Sequence, residues 1–490
     1  MHYYNKVPRC MSTQHPDNVT IPFFAEDSEL GGEDEIQEAY YVFSHLGCKE
    51  QMWDCEGKEV DNFVVKKLLT KYGDFFRENK LGKDIFLTLR IPNPTIERAE
   101  AKILLETLES IPRSFDAAKL FYNEDLPPIF EVIFPMTASA KCLNRVYLYY
   151  RNFVVGKQHE LFFKGDLTIS DWIGEFKPEE INVIPLFEDK ERMVDAHNIV
   201  REYLEDKKVE YQRVFLARSD PAMNYSSLSA IMLNKIALQR LHNLSEQISV
   251  DILPIMGVGS APFRGDMNPL NFDNVLEGYP SVQTFTIQSA FKYDYPEGKV
   301  AEAINEINSR KRGEPTVVDE EKGLKIIEKL SREYTKQIKI LAPLINRIAK
   351  YVPSRRKRRL HIGLFGYSRN AGGITLPRAI VFCASLYSIG LPPEILGLNA
   401  LNEKDIEFFR DIYKNFENDL KDALPYLNRD VLKILPKCIV KRLSTRLVEF
   451  EVNEKHERVT SQIISCLKNE KFENLQELIV EAAQIRRFLG

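Results

Sequence analysis

The sequence predicts an α/β fold: a TIM-type (β/α)8 barrel elaborated by additional α-helices and a helical C-terminal region. Three observations lead there. Eight short apolar runs recur along the first three-quarters of the chain, at 50–54, 85–90, 129–134, 182–187, 213–218, 252–257, 282–287 and 361–365. Helical patterns lie between most of them. Most runs also end at a charged residue, an aromatic-acid pair or a glycine-rich turn, which is where a parallel barrel carries its chemistry.

Each element has a local reason. EQMWD is followed by DNFVVKKLLTKYGDFFREN, which has helical spacing, and FLTLR by the long helical pattern TIERAEAKILLETLESI. The alternation continues through IFEVIF, INVIPLF, RVFLAR, ILPIMG and SVQTFTI, each short and rich in β-branched or aromatic residues. LHIGLF supplies the eighth run. Repeated strand-then-helix units read as parallel strands with helices outside. An open doubly wound sheet is the rival, but its glycine fingerprint is missing after the first run, which leads into Met52-Trp53-Asp54.

One elaborated domain is expected over 1–490, with a barrel core at about 45–391 and a helical insertion around 296–356. Residues from about 392 to 490 read as helices packed on the barrel. Residues 1–35 read as polar and irregular, apart from VTIPFF.

Bulk properties narrow the function classes. The chain has 490 residues and 44% apolar content, enough for a large core. A net charge of -4 gives no reason to expect nucleic acid. The compact basic run SRRKRR at 354–359 reads as surface or linker, with local anion steering as the alternative. The seven cysteines form no CxxC pair and are odd in number, which fits a reducing cytoplasm. No secretory h-region and no membrane-length apolar stretch is present, so neither export nor membrane spanning is expected.

The chemical candidates cluster at the run ends. Glu188 ends VIPLFE and Asp220 ends VFLARSD. Two carboxylates from different strands suit a hard divalent cation completed by water and substrate oxygens. Each would equally serve as a helix cap, and Asp220 before Pro221 fits that role. No HExxH motif or Cys/His cluster favours zinc.

Arg90, Arg218, Arg264, Arg369 and Arg378 recur beside strand ends or glycine turns. A guanidinium fork matches carboxylate and phosphate geometry, although any one of them would serve as a structural ion pair. GLFGYSRNAGG lacks the Walker lysine and the GxGxxG spacing, so ATP and nicotinamide cofactors are not expected. His15 lies in the polar segment STQHPDN, where an imidazole can donate to an oxyanion or move a proton near neutral pH. It precedes the first run and would have to fold back over the mouth. Lys292 is a formal Schiff-base candidate.

These motifs together resemble the short, archaeal-type phosphoenolpyruvate carboxylases over essentially the whole chain. The resemblance is carried by MSTQHPDN at 11–18, MWD at 52–54, RSDPAMN at 218–224, GSAPFRG at 259–265, GYSRNAGGITLPRA at 366–379 and the final glycine. It implies conversion of phosphoenolpyruvate and bicarbonate to oxaloacetate and phosphate, with Mg²⁺ or Mn²⁺ and without biotin, ATP or a nicotinamide cofactor.

By the same resemblance, His15 would stabilise carboxyphosphate, Glu188 and Asp220 would hold the metal, and Arg90, Arg264, Arg369 and Arg378 would hold substrate oxygens. Trp53 would lie in a substrate-proximal loop. A cytoplasmic homotetramer is implied, with allosteric control an added expectation. The long enzymes carry His-Gly-Arg-Gly-Gly where this chain has MGVGS at 256–260, and a lysine where it has Met223; their aspartate or malate regulation is therefore not carried over. Two alternatives are a metal-dependent lyase or aldolase of the phosphoenolpyruvate/pyruvate barrel class and a non-catalytic metabolite-binding scaffold.

Overall fold

A computed structural model describes residues 7–58, 60–98, 101–358, 369–371, 374–440 and 449–490. Eight parallel strands close into a barrel in sequence order: β1 (Cys10–Ser12), β2 (Glu50–Asp54), β3 (Phe86–Arg90), β4 (Glu131–Phe134), β5 (Asn182–Phe187), β6 (Tyr211–Ala217), β7 (Asp251–Gly257) and β8 (Thr284–Ile287). The predicted fold class is present.

One strand assignment is corrected. The polar N-terminal segment supplies β1, which closes the barrel by pairing Cys10 with Phe285, Met11 with Thr286 and Ser12 with Ile287. It meets β2 on its other side through Ser12 and Gln51. The barrel expected to begin near 45 therefore begins at Cys10. The run at 361–365 lies outside the described residues.

Side chains alternate between the two faces of a strand, so each strand contributes to the lumen at every second position. On β2, Glu50, Met52 and Asp54 point inward while Trp53 points to the helices. Lumen residues form layers. At the base, Arg213 donates to Glu50 at 2.7 and 2.8 Å and to Glu131 at 2.9 Å, and Thr88 donates to Glu50 at 2.6 Å. Arg213 and Glu50 are fully buried, so each charge needs its partner. Met11, Met52, Ile133, Ile184, Leu186, Phe215, Ala217 and Ile255 fill the middle as a separate apolar cluster. This plug separates the base of the barrel from the C-terminal mouth.

Helices such as Lys190–Leu204 and Ser227–Ile248 bury their apolar faces against the outside of the strands. The helix Glu320–Ala349 packs across Ser227–Ile248 and Ala379–Ser388. Helices Glu454–Asn469 and Leu475–Arg486 bring the chain end back to the open mouth. Among the described residues, no single helix is long and apolar enough to cross a membrane.

Candidate active site

A cavity of about 380 Å³ opens at the C-terminal end of the barrel. Its floor is built by strand parity. The inward series Met52–Asp54 ends on an acid, Thr88–Arg90 on a base, and Leu186–Glu188 on an acid. Thr286 and Gln288 continue β8 in the same way, and Met11, Thr13 and His15 continue β1. His15 therefore does not fold back from a distant segment; it sits directly above its own strand.

His15, Asp54, Arg90, Glu188, Asp220, Arg264 and Arg378 all line this cavity. Arg90 Nε and Nη2 donate to Asp54 at 2.8 and 2.6 Å, and Glu56 lies 3.2 Å from Nη1. Burial works against the charge on Arg90, but Asp54 and then Glu56 outweigh it and raise its pKa. The Asp54 carboxyl is held low in turn: burial would raise it, and Arg90 overcomes that. The backbone N–H of Asp54 donates to Gln14 Oε1 at 2.9 Å, tying β2 to the His15 segment.

The His15 imidazole is pushed well below its ordinary range, by burial first and by the Arg90 guanidinium next. It is therefore neutral at physiological pH. Thr13 Oγ1 lies 2.8 Å from Nδ1, and a hydroxyl can serve either tautomer.

Arg264 is fixed from four directions. It donates to Asp17 at 3.1 Å, Ser219 Oγ at 3.1 Å, the Gly490 carbonyl at 2.8 Å, and Gln288. A Cβ on Gly259 would stand 2.8 Å from the Arg264 guanidinium carbon, so glycine there lets the fork lie against the backbone. The last residue is equally constrained. A Cβ on Gly490 would fall 2.1 Å from the Ile380 carbonyl oxygen. Leu489 N donates to the Asp17 carbonyl at 2.7 Å, so Asp17 joins the chain end to Arg264.

Other candidates fall elsewhere. Trp53, expected near the substrate, is not among the residues lining the cavity; it is buried in the outer core with the Lys58 ammonium 5.4 Å from its ring centroid. Arg369 begins β9 (Arg369–Ala371), paired antiparallel with β10 (Ile374–Leu376), and its side chain lies outside the described part of the structure. Arg218 is buried and bonds the Phe263 carbonyl and Ser227. Lys292 is consumed by Glu38, Ser12 and Thr13, a structural role rather than a Schiff base.

The described part of the basic run, 354–358, is more than a surface segment: Lys357 is exposed, but Arg355 and Arg356 are buried and, with Arg358, line the cavity. Asp17 and Gln288 were missed from sequence; only the strand parity of β8 and the position just after β1 point to them.

Glu188 and Asp220 offer oxygen ligands alone. Glu188 Oε2 accepts from Met136 N at 2.7 Å, which orients that carboxylate. Among the described residues no group of three or more His, Cys, Asp and Glu side chains gathers as a metal cage. Two carboxylates on a polar cavity wall fit a Mg²⁺-like ion that takes its remaining ligands from water and substrate.

A barrel with opposed acids and arginines around a neutral histidine defines an enzyme for small anionic substrates. The profile of the phosphoenolpyruvate carboxylase family matches residues 7–490. The phosphoenolpyruvate carboxylase of Methanothermobacter thermautotrophicus is 58% identical over 485 residues, covering 99% of this chain and 100% of that one. Those of Methanospirillum hungatei and Pyrococcus abyssi are 55% and 52% identical with the same coverage. The chain belongs to the phosphoenolpyruvate carboxylase family, in its short archaeal form.

Proposed function

We propose that this cavity carries out the family's carboxylation, with bicarbonate and phosphoenolpyruvate giving oxaloacetate and inorganic phosphate. The observation that supports it most is the meeting of His15, Arg90, Arg264, Glu188 and Asp220 at one mouth. The alternatives of a simple lyase and a non-catalytic scaffold have no separate structural observation in their favour.

Glu188 and Asp220 would hold the Mg²⁺ expected of the family. When bound, that ion would polarise phosphate oxygens and offset enolate charge. A bicarbonate oxygen attacks phosphorus and the phosphorus–enol oxygen bond breaks, leaving carboxyphosphate and the enolate of pyruvate. Arg264, Arg378 and Arg90 face the transferring group and the substrate carboxylate. Neutral His15 takes the carboxyphosphate proton and returns it to a phosphate oxygen as the C–O bond breaks. The released CO₂ is then attacked by the enolate carbon. The mouth is walled by Leu489, Val352 and Val381 among polar groups, which limits water that would protonate the enolate to pyruvate.

The test is an assay of purified protein with phosphoenolpyruvate, Mg²⁺ and bicarbonate, following oxaloacetate and phosphate together. Equimolar, bicarbonate-dependent formation of both is expected. Phosphate or pyruvate release indifferent to bicarbonate would overturn the proposal. The homotetramer implied by the resemblance belongs to the same proposal, and light scattering of the active protein should give four times the chain mass.

A further inference from the structure

The segment 354–358 crosses the mouth as an extended strap. It is bridged to Leu30 through Arg356 and to Lys58 through Arg358. Its arginines are not equivalent. Arg356 donates to Glu35 at 3.2 Å and to Glu38 at 2.6 Å. Arg355 donates to the Val19 carbonyl at 3.2 Å. Both are spent on holding the strap.

The same accounting applies to the rest of the cavity. Lys58 is paired with Glu35, Arg90 with Asp54 and Glu56, and Arg264 with Asp17. Arg358 and Arg378 differ. Both line the cavity, yet neither guanidinium has a hydrogen-bond or ion-pair partner among the described residues. Burial, and then the neighbouring Arg378 cation, lower the pKa of Arg358, and Glu29 offsets them only in part. Leaving charge uncompensated at a half-enclosed site costs stability. A doubly negative phosphoryl group would remove that cost and offer oxygens to both forks.

We propose that Arg358 is a substrate-binding residue whose guanidinium, together with that of Arg378, grips the phosphate of phosphoenolpyruvate from the roof of the cavity. This rests on the carboxylase reading of the same site. The paired Arg90 and Arg264 then shape and orient the floor, and the strap arginine delivers uncommitted positive charge. Fixing of the strap by Arg356, Glu35 and Glu38 explains how a residue on a connecting segment is held ready for a ligand.

The test compares wild-type protein with Arg358→Ala, Arg358→Lys and, as a control on the exposed side of the strap, Lys357→Ala. Binding of phosphoenolpyruvate without bicarbonate, and of inorganic phosphate, is measured by calorimetry; KM for each substrate is measured separately. Arg358→Ala should weaken both ligands by about 10- to 100-fold, the loss of one or two charge-assisted hydrogen bonds. KM for bicarbonate should change little. Arg358→Lys should recover part of the loss and Lys357→Ala should behave as wild type.

Unchanged phosphoenolpyruvate affinity in a folded Arg358→Ala or Arg358→Lys protein would overturn the inference, as would a defect confined to bicarbonate. A wild-type protein without bicarbonate-dependent oxaloacetate formation would instead overturn the underlying carboxylase reading. The two failures are thus distinct.

Discussion

Asp54 and Arg90 stand opposite each other in register at the ends of β2 and β3, joined by a two-point hydrogen-bonded ion pair of 2.8 and 2.6 Å. Both side chains are less than one-tenth exposed. The pair does two things for the site: it aims the Arg90 fork along the cavity floor, and its acid offsets a cation that would otherwise depress His15 further.

Breaking that pair from the acid side should be costly. Asp54→Asn leaves a buried guanidinium without its main counter-charge and should lose about 3–5 kcal/mol of stability. The carboxylate also has a depressed pKa, so its contribution is present above the ordinary aspartate range and is lost as pH falls through it. Denaturant titration of the two proteins at pH 7 checks the magnitude; equal midpoints would contradict it.

Metal binding should depend on both carboxylates. Glu188→Gln and Asp220→Asn should each weaken Mn²⁺ binding by at least about tenfold while the fold is retained. Electron paramagnetic resonance titration reads free Mn²⁺ directly and needs no turnover. Wild-type affinity in both variants would place the ion elsewhere.

His15→Asn should lower kcat by about 10²–10⁴-fold, the range of a lost proton-transfer group. The pKa of His15 is held below its ordinary value by burial, then Arg90. Any acidic limb it causes in kcat/KM should therefore fall well below pH 6.5. Its effect on stability has the matching sign. Below pH 6.5 the unfolded imidazole binds a proton that the folded one refuses, so stability falls as pH drops. An acidic limb near 6.5 that vanishes in His15→Asn would contradict the buried, neutral imidazole.

A second pH effect comes from outside the site. Burial pushes Asp419, which accepts from Tyr413 at 3.0 Å, up to about 7. Between roughly pH 4 and 7 the folded protein keeps a proton that the unfolded chain has released, so stability declines as pH rises through that window. Asp419→Asn removes this loss. The variant should gain about 1–3 kcal/mol relative to wild type between pH 5 and pH 8. Urea midpoints at the two pH values measure it, and parallel curves would contradict it.

Seven barrel strands were legible because each is a short apolar run bounded by turn or helix signals. The eighth was not. Cys10–Ser12 is three residues long and followed by TQHPDN, so it has no window in which periodicity could show. It is held by neighbours, through pairing with β8 and β2, rather than by its own pattern.

The site was legible where a charged residue ends an apolar run, as with Arg90, Glu188 and Asp220. Trp53 misled because its motif neighbour Asp54 is one residue on, and one residue reverses the face of a strand. Arg355, Arg356 and Arg358 misled for another reason. Arg356 is held by Glu35 and Glu38, and Arg355 by the Val19 carbonyl, all more than three hundred residues away, which no local pattern reveals.

The central claim is that bicarbonate attacks phosphorus inside this cavity, and the most direct measurement is oxygen transfer from ¹⁸O-bicarbonate. Mass spectrometry of the products should find one labelled oxygen in each phosphate and the other two bicarbonate oxygens in the new carboxylate of oxaloacetate. Phosphate formed without label, at the same rate as oxaloacetate, would contradict the account.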